Sequence, residues 1–158
     1  FTIPPIADLR FYTQALKSKA PPYSPHRHDP HDGDNIGLVI EQISTGKKVY
    51  YSPGLGEIEP HVLTNMQNAD CILVDGTFWS ENEMIDLGLS KKPAAEMGHL
   101  PQSGKGGMTE VLNGVPKARK ILIHINNSNP ILDEDSEPHR QLLQAGIELA
   151  YDGMEIDI

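Results

Sequence analysis

The sequence predicts an α/β fold. Short, continuously apolar segments of strand length alternate with stretches of helical spacing, and 13 prolines and 14 glycines separate them. Polar residues close the most apolar segments. With 158 residues and 38% hydrophobic content, the chain can supply one domain with a core of ordinary size, and residues 1–158 are read as one unit.

Residues 6–20 mix apolar and basic side chains and fit either a short strand or a helix. The prolines at 21, 22 and 25 then forbid regular helix, so an irregular loop runs to Gly33. Residues 35–43 carry β-branched side chains at strand spacing. Ser44-Thr45-Gly46 supplies turn chemistry, and 47–52 reads as the return strand of a hairpin. Pro53-Gly54-Leu55-Gly56 ends that strand in a tight loop. Val62, Leu63 and Met66 form an apolar stripe on a short helix within 59–68. The strand 71–75 is apolar up to Asp75, as expected of a strand covered on both faces. A mixed segment at 78–89 and a glycine-rich run at 98–107 precede a helix around 108–112. A second apolar strand covers 121–125, followed by a polar loop. Ser136 reads as an N-cap, with Glu137 and Pro138 in the first turn of a helix that stops at Gly146. Residues 147–150 and 154–158 are read as terminal strands around Tyr151-Asp152-Gly153. There is no internal repeat.

The net charge of −9 argues against a nucleic-acid or anionic-membrane surface, because either needs clustered cations to displace counterions. No segment is long and apolar enough to span a bilayer, and no signal-peptide pattern opens the chain. The lone Cys71 sits inside an apolar strand and reads as core; a free thiol suits a reducing, cytoplasmic compartment. The chain opens Phe1-Thr2-Ile3 without Met, which reads as a processed or trimmed chain, or as one lacking a preceding half-domain.

Four places carry chemistry. Asp75 closes a buried strand and is either a charged, paired carboxylate or a turn cap bonded to the amides of residues 76–78. His99, between Gly98 and Leu100, is presented by a backbone that can approach a ligand closely; alternatively it is a solvated loop histidine. His124 interrupts an apolar run, where one imidazole nitrogen can bind a metal while an acceptor fixes the other, or where the ring is simply a satisfied core residue. Gln102, Asn126 and Asn127 are candidate substrate contacts. The loop His26-Arg27-His28-Asp29-Pro30-His31-Asp32 looks metal-rich but lacks a rigid scaffold, so weak adventitious binding is expected there. His61 and His139 read as surface residues. Serine-hydrolase, phosphate-loop, dinucleotide and Cys-x-x-Cys motifs are absent from the sequence.

Several segments resemble the C-terminal half of the PqqB family of pyrroloquinoline quinone (PQQ) biosynthesis proteins. They include Pro21-Pro22-Tyr23-Ser24-Pro25-His26, Ser52-Pro53-Gly54-Leu55-Gly56 and Val74-Asp75-Gly76-Thr77-Phe78-Trp79. The longest is Leu122-Ile123-His124-Ile125-Asn126-Asn127 with Asn129-Pro130-Ile131-Leu132-Asp133-Glu134-Asp135-Ser136. The resemblance implies half of a metallo-β-lactamase-like αββα four-layer sandwich. The superfamily's His-x-His-x-Asp-His motif, degenerate in this family, and the cysteines for a structural zinc would lie in the other half. The present chain is therefore expected to hold part of an active site and to need that half for folding.

By the same resemblance, His124 matches the last metal-binding histidine of the superfamily. Asp75 and His99 match the acidic and Gly-His positions that tRNA 3′-processing nucleases place beside their metals. The aspartate that bridges two metals in those enzymes falls in the 52–56 loop, which has no carboxylate, so a single metal is expected. The resemblance implies an iron(II)- and O2-dependent hydroxylase acting on the tyrosine of a peptide-derived Glu-Tyr unit, with zinc as the alternative metal. Asp75 and His99 would manage protons or hold the dipeptide. A carrier of PQQ or its intermediate, and a metal-dependent hydrolase, are the competing readings; a homo-oligomer is left open.

Overall fold

One mixed sheet organises the computed structural model, which describes residues 1–20, 23–27 and 29–158. Among the described residues the sheet has six strands in the order β1-β2-β3-β4-β5-β6. They are β1 Leu9–Ala15, β2 Ile36–Gln42, β3 Lys48–Ser52, β4 Cys71–Asp75, β5 Arg119–Ile123 and β6 Ile147–Leu149. The first three pair antiparallel and the last four pair parallel, β3 belonging to both sets.

The hairpin of β2 and β3 lies where turn chemistry places it, with Leu38 opposite Tyr51 and Glu41 opposite Lys48. The segment at 6–20 resolves as strand because β2 offers it a free edge. Phe11, Tyr12 and Thr13 suit a pleated surface, and Leu9 pairs with Gln42 through to Ala15 with Ile36. Helix α1, Pro60–Asn68, starts with Pro at its first position and turns Val62 and Met66 inward. Two short helices that the residue pattern does not announce follow β4: α2, Glu83–Asp86, and α3, Ala94–Met97. Helix α4 is Met108–Asn113, and α5, Glu137–Gln144, is capped by the Ser136 hydroxyl accepting from the His139 amide at 3.1 Å.

Two boundaries move. The strand expected over 121–125 occupies Arg119–Ile123, because His124 adopts φ 55, in the left-handed region, and turns the chain out of the sheet. Residues 154–158 form no strand: Ile156 and Ile158 instead share a depression with Leu9, Ile40 and Val49.

The main core lies where Tyr50, Ile72, Val74 and Leu122 of the sheet meet Val62 and Met66 of α1, Met108 and Leu112 of α4 and Leu142 of α5. Each such buried side chain contributes roughly 1.5–3 kcal/mol relative to exposure, so the central parallel strands are anchored by the main core. Cys71 is fully buried, as its apolar neighbours imply, and burial raises its thiol pKa. His61 and His139 are more than surface residues. Both are half-buried, with a ring nitrogen 3.1 Å from the Ala15 carbonyl and 2.7 Å from the Ile131 carbonyl respectively. No helix among the described residues is long and apolar enough to cross a membrane.

Candidate metal centre

Because β3, β4 and β5 are parallel, their C-terminal ends gather at one edge, where side chains leave the core while the backbone stays rigid. Asp75 is the last residue of β4, His124 follows the last residue of β5, and the loop 53–56 follows β3. Gly76 is required between them: its amide donates to the Ile123 carbonyl at 2.7 Å, and a Cβ there would lie 2.9 Å from that same oxygen. His99 arrives from α3. Gly98, the C-cap with φ 95, reverses the chain and delivers the histidine to the strand ends.

Asp75 is fully buried and its carboxylate accepts from four sides. Oδ2 takes the Leu55 amide at 2.8 Å and lies 2.6 Å from His99 Nδ1. Oδ1 takes the Thr77 amide at 2.9 Å and the Thr77 hydroxyl at 2.5 Å. The turn cap is present at the Thr77 amide, with the Gly76 amide going to Ile123 instead, and His99 is the partner at the other oxygen. The Pro53–Gly56 segment, which lacks a carboxylate, contributes the Leu55 backbone N–H instead.

The Thr77 hydroxyl lies 2.8 Å from His124 Nδ1 and 3.0 Å from the His124 carbonyl. The imidazoles of His99 and His124 stack with centroids 5.4 Å apart and planes 23° from parallel, and Phe78 meets His99 edge-on at 5.7 Å. Asp75, His99 and His124 each offer one ligand atom within 4.8 Å of the others, the only such group of three or more among the described residues.

The donor chemistry separates the three. A carboxylate has about four lone-pair sites, and those of Asp75 face four donors. Each histidine, by contrast, has Nδ1 engaged, and Nε2 has no hydrogen-bond partner among the described residues. An imidazole nitrogen is a donor suited to zinc or iron, so the residues fit a metal held through His124, with His99 beside it and Asp75 behind as the orienting acceptor.

Both rings open onto a cavity of about 410 Å³, whose wall also includes Lys19, Tyr23, Arg27 and Asn35. The other expected site residues stand elsewhere. Gln102 is fully buried, and its Oε1 accepts from Asn129 Nδ2 at 2.9 Å; Asn129 also donates to the Gly76 carbonyl. Asn126 turns toward Ser128 and Met84, and Asn127 is exposed. None of the three lines the cavity of His99 and His124. Burial is the physical reason for Gln102: its Oε1 reaches the 76–77 turn only through Asn129, whose Nδ2 donates to the Gly76 and Thr77 carbonyls. In the 26–32 loop, the His26 and His31 rings lie 4.4 Å apart, tilted by 32°, and His28 lies outside the described residues.

Sequence reasoning missed Thr77, Lys19, Arg27 and Asn35. Thr77 had a local signal, a hydroxyl two residues beyond a buried strand-end carboxylate. The other three come from the connection between β1 and β2, and only the tertiary fold brings them to the strand ends.

Comparison with known proteins follows the same lines. The family described as Beta-lactamase superfamily domain matches residues 1–125. The chain is 67% identical over 156 residues to the coenzyme PQQ synthesis protein B of Methylococcus capsulatus, covering 99% of this chain and 51% of that protein. It is 54% identical to the protein of the same name from Pseudomonas putida, covering 100% and 52%. The chain thus spans about half the length of the curated relatives it matches. Among solved structures, Zn2+-bound PqqB from Methylobacterium extorquens superposes with a TM-score of 0.89 at 28% identity, covering 100% of this chain and 53% of that one.

Proposed function

The chain belongs to the β-lactamase superfamily domain family, and we propose that it carries the C-terminal share of a metal-dependent site in PQQ biosynthesis, with His124 Nε2 as a metal ligand. The observation that carries this reading is the state of the His124 ring. Its Nδ1 is tied to Thr77 2.8 Å away, while Nε2 has no partner among the described residues and the ring faces the cavity. The role in PQQ biosynthesis rests on the name shared by relatives 54–67% identical to this chain.

We assign the centre to iron(II) in an O2-dependent hydroxylation of the tyrosine ring of a Glu-Tyr unit. When bound, iron would supply open coordination positions and redox capacity for O2. The chain's own residues position and protonate. Asp75 accepts the Nδ1 proton of His99, so His99 presents Nε2 toward the cavity side as a proton acceptor. Phe78, edge-on to His99, restricts that ring. Lys19 and Arg27 in the cavity wall are cations suited to the carboxylates of the dipeptide, and Asn35 to its amide; these replace Gln102, Asn126 and Asn127 as the proposed substrate contacts. The remaining metal ligands would come from the part of the longer relatives that lies outside this chain.

A second reading, a zinc centre, is favoured by the zinc in the Methylobacterium extorquens protein. Metal analysis of the intact protein together with oxygen consumption on Glu-Tyr separates the two. One iron per chain and O2 uptake abolished by His124→Ala are expected. Uptake unchanged in His124→Ala would sink the ligand assignment, and zinc with no O2 uptake would favour the second reading.

A further inference from the structure

We infer that Thr77 is the positioning residue of this centre: its one hydroxyl joins the Asp75 carboxylate to His124 and fixes His124 as the Nδ1–H tautomer, leaving Nε2 as the lone-pair nitrogen.

The proton count decides the direction of the chain. Thr77 Oγ1 has one proton and four neighbours: Asp75 Oδ1 at 2.5 Å, His124 Nδ1 at 2.8 Å, the His124 carbonyl at 3.0 Å and His99 Nδ1 at 3.1 Å. Two oxygens 2.5 Å apart need a proton between them. With Asp75 taken as the carboxylate anion, the carboxylate has none to give: it accepts from the Leu55 and Thr77 amides, and the 2.6 Å contact assigns the hydrogen to His99 Nδ1. The Thr77 proton therefore points at Asp75, and the hydroxyl can only accept from His124, whose Nδ1 must carry hydrogen.

The result is one buried carboxylate that orients two imidazoles by routes of different length. His99 bonds it directly, whereas His124 reaches it through a hydroxyl. The relay suits the geometry at the end of β5. With φ 55, the His124 backbone leaves the sheet there, and a direct carboxylate contact would have to follow that turn. Threonine adds stiffness, because branching at Cβ restricts χ1 and holds the hydroxyl in one direction.

The inference uses the proposed ligand role of His124 only for its consequence on metal affinity, so the two are tested apart. Histidine side-chain 15N correlation spectra of the intact, metal-free protein read the tautomer directly. His124 is expected to be protonated at Nδ1 in the wild type and in Thr77→Ser, and to lose that preference in Thr77→Val. Zinc titration with Zn2+ alone is expected to show affinity lower by roughly 10–100-fold in Thr77→Val, recovering to within a few-fold in Thr77→Ser. An Nε2–H tautomer in the wild type would overturn the inference without any variant being needed. So would Thr77→Val that folds and keeps Nδ1–H at His124. If the tautomer depends on Thr77 but His124→Ala leaves zinc affinity unchanged, the positioning role stands and the ligand role falls.

Discussion

Two pairs of neighbouring histidine rings sit in different settings in this molecule, one stacked and one tilted. His99 and His124 lie 5.4 Å apart at the ends of parallel strands, and each Nδ1 is tied, directly or through Thr77, to one fully buried carboxylate. His26 and His31 lie closer, 4.4 Å apart, in the loop before β2, where His31 Nε2 is 3.6 Å from the carboxylate of Asp29, whose side chain is 91% exposed. Ring proximity is common to both pairs; an acceptor that fixes the ring from behind is not. A ring whose second nitrogen is fixed from behind presents a lone pair in one direction, whereas a ring beside a solvated carboxylate is not held to one. Histidine density in a sequence therefore marks a metal site only where the fold supplies the acceptor.

The largest effect should come from the two aspartates. Asp75→Asn turns one carboxylate oxygen into a donor facing donors, in a buried setting, and is expected to cost about 3–5 kcal/mol of stability in the intact protein. Asp29→Asn removes an exposed charge and should stay within about 0.5 kcal/mol. Urea denaturation of both variants measures the difference. Equal losses would mean that the buried network contributes no more than the loop pair.

The same contrast explains what could be read in the sequence. Strand β4 and the β2–β3 hairpin were legible because hydrophobic period and turn chemistry are local properties, and Ser136 was legible as a cap for the same reason. Asp75, His99 and His124 stood out because polar residues beside apolar strands or between glycines are conspicuous. Their convergence was not legible: α3, which delivers His99, is a four-residue helix, Ala94–Met97, too short to show periodicity. Gln102 went astray because a glycine-rich run reads as exposed loop, and only tertiary packing folds its amide inward onto Asn129. Lys19, Arg27 and Asn35 carried no signal, since their place in the cavity wall depends on how an irregular loop lies across the strand ends.

A smaller effect is expected on metal content. Replacing the two neighbouring loop histidines, His26→Ala with His31→Ala, should leave the metal content of the intact protein unchanged, while His124→Ala lowers affinity by more than about 100-fold, beyond the loss expected for an orienting residue. Metal analysis after dialysis against a weak chelator reads both. Loss of metal from the loop double variant would place a functional ligand in the loop and remove the distinction drawn between the two pairs.

The smallest effect concerns how the loop is fastened. Its start is held by Glu59, whose Oε2 accepts the Lys17 amide at 3.0 Å, with Lys17 Nζ 3.5 Å from Oε1 and His61 Nε2 3.8 Å from Oε2. The hydrogen bond from the Lys17 backbone lowers the Glu59 pKa below its ordinary value of 4.5, against an opposing contribution from burial. A depressed carboxylate stabilises the fold above its unfolded-state pKa and loses that contribution as pH falls through the lower folded value. The fastening should therefore persist at pH 5 and above and release only at pH values below about 4.5. The Lys17 amide proton shift, followed by NMR during acid titration of the intact protein, should move with a midpoint below the ordinary glutamate value, and Glu59→Gln should abolish that movement. A midpoint above the ordinary value would mean that burial, rather than the Lys17 hydrogen bond, dominates at Glu59. The loop would then be held by packing on the strand ends, and its difference from the site would lie in its rings alone.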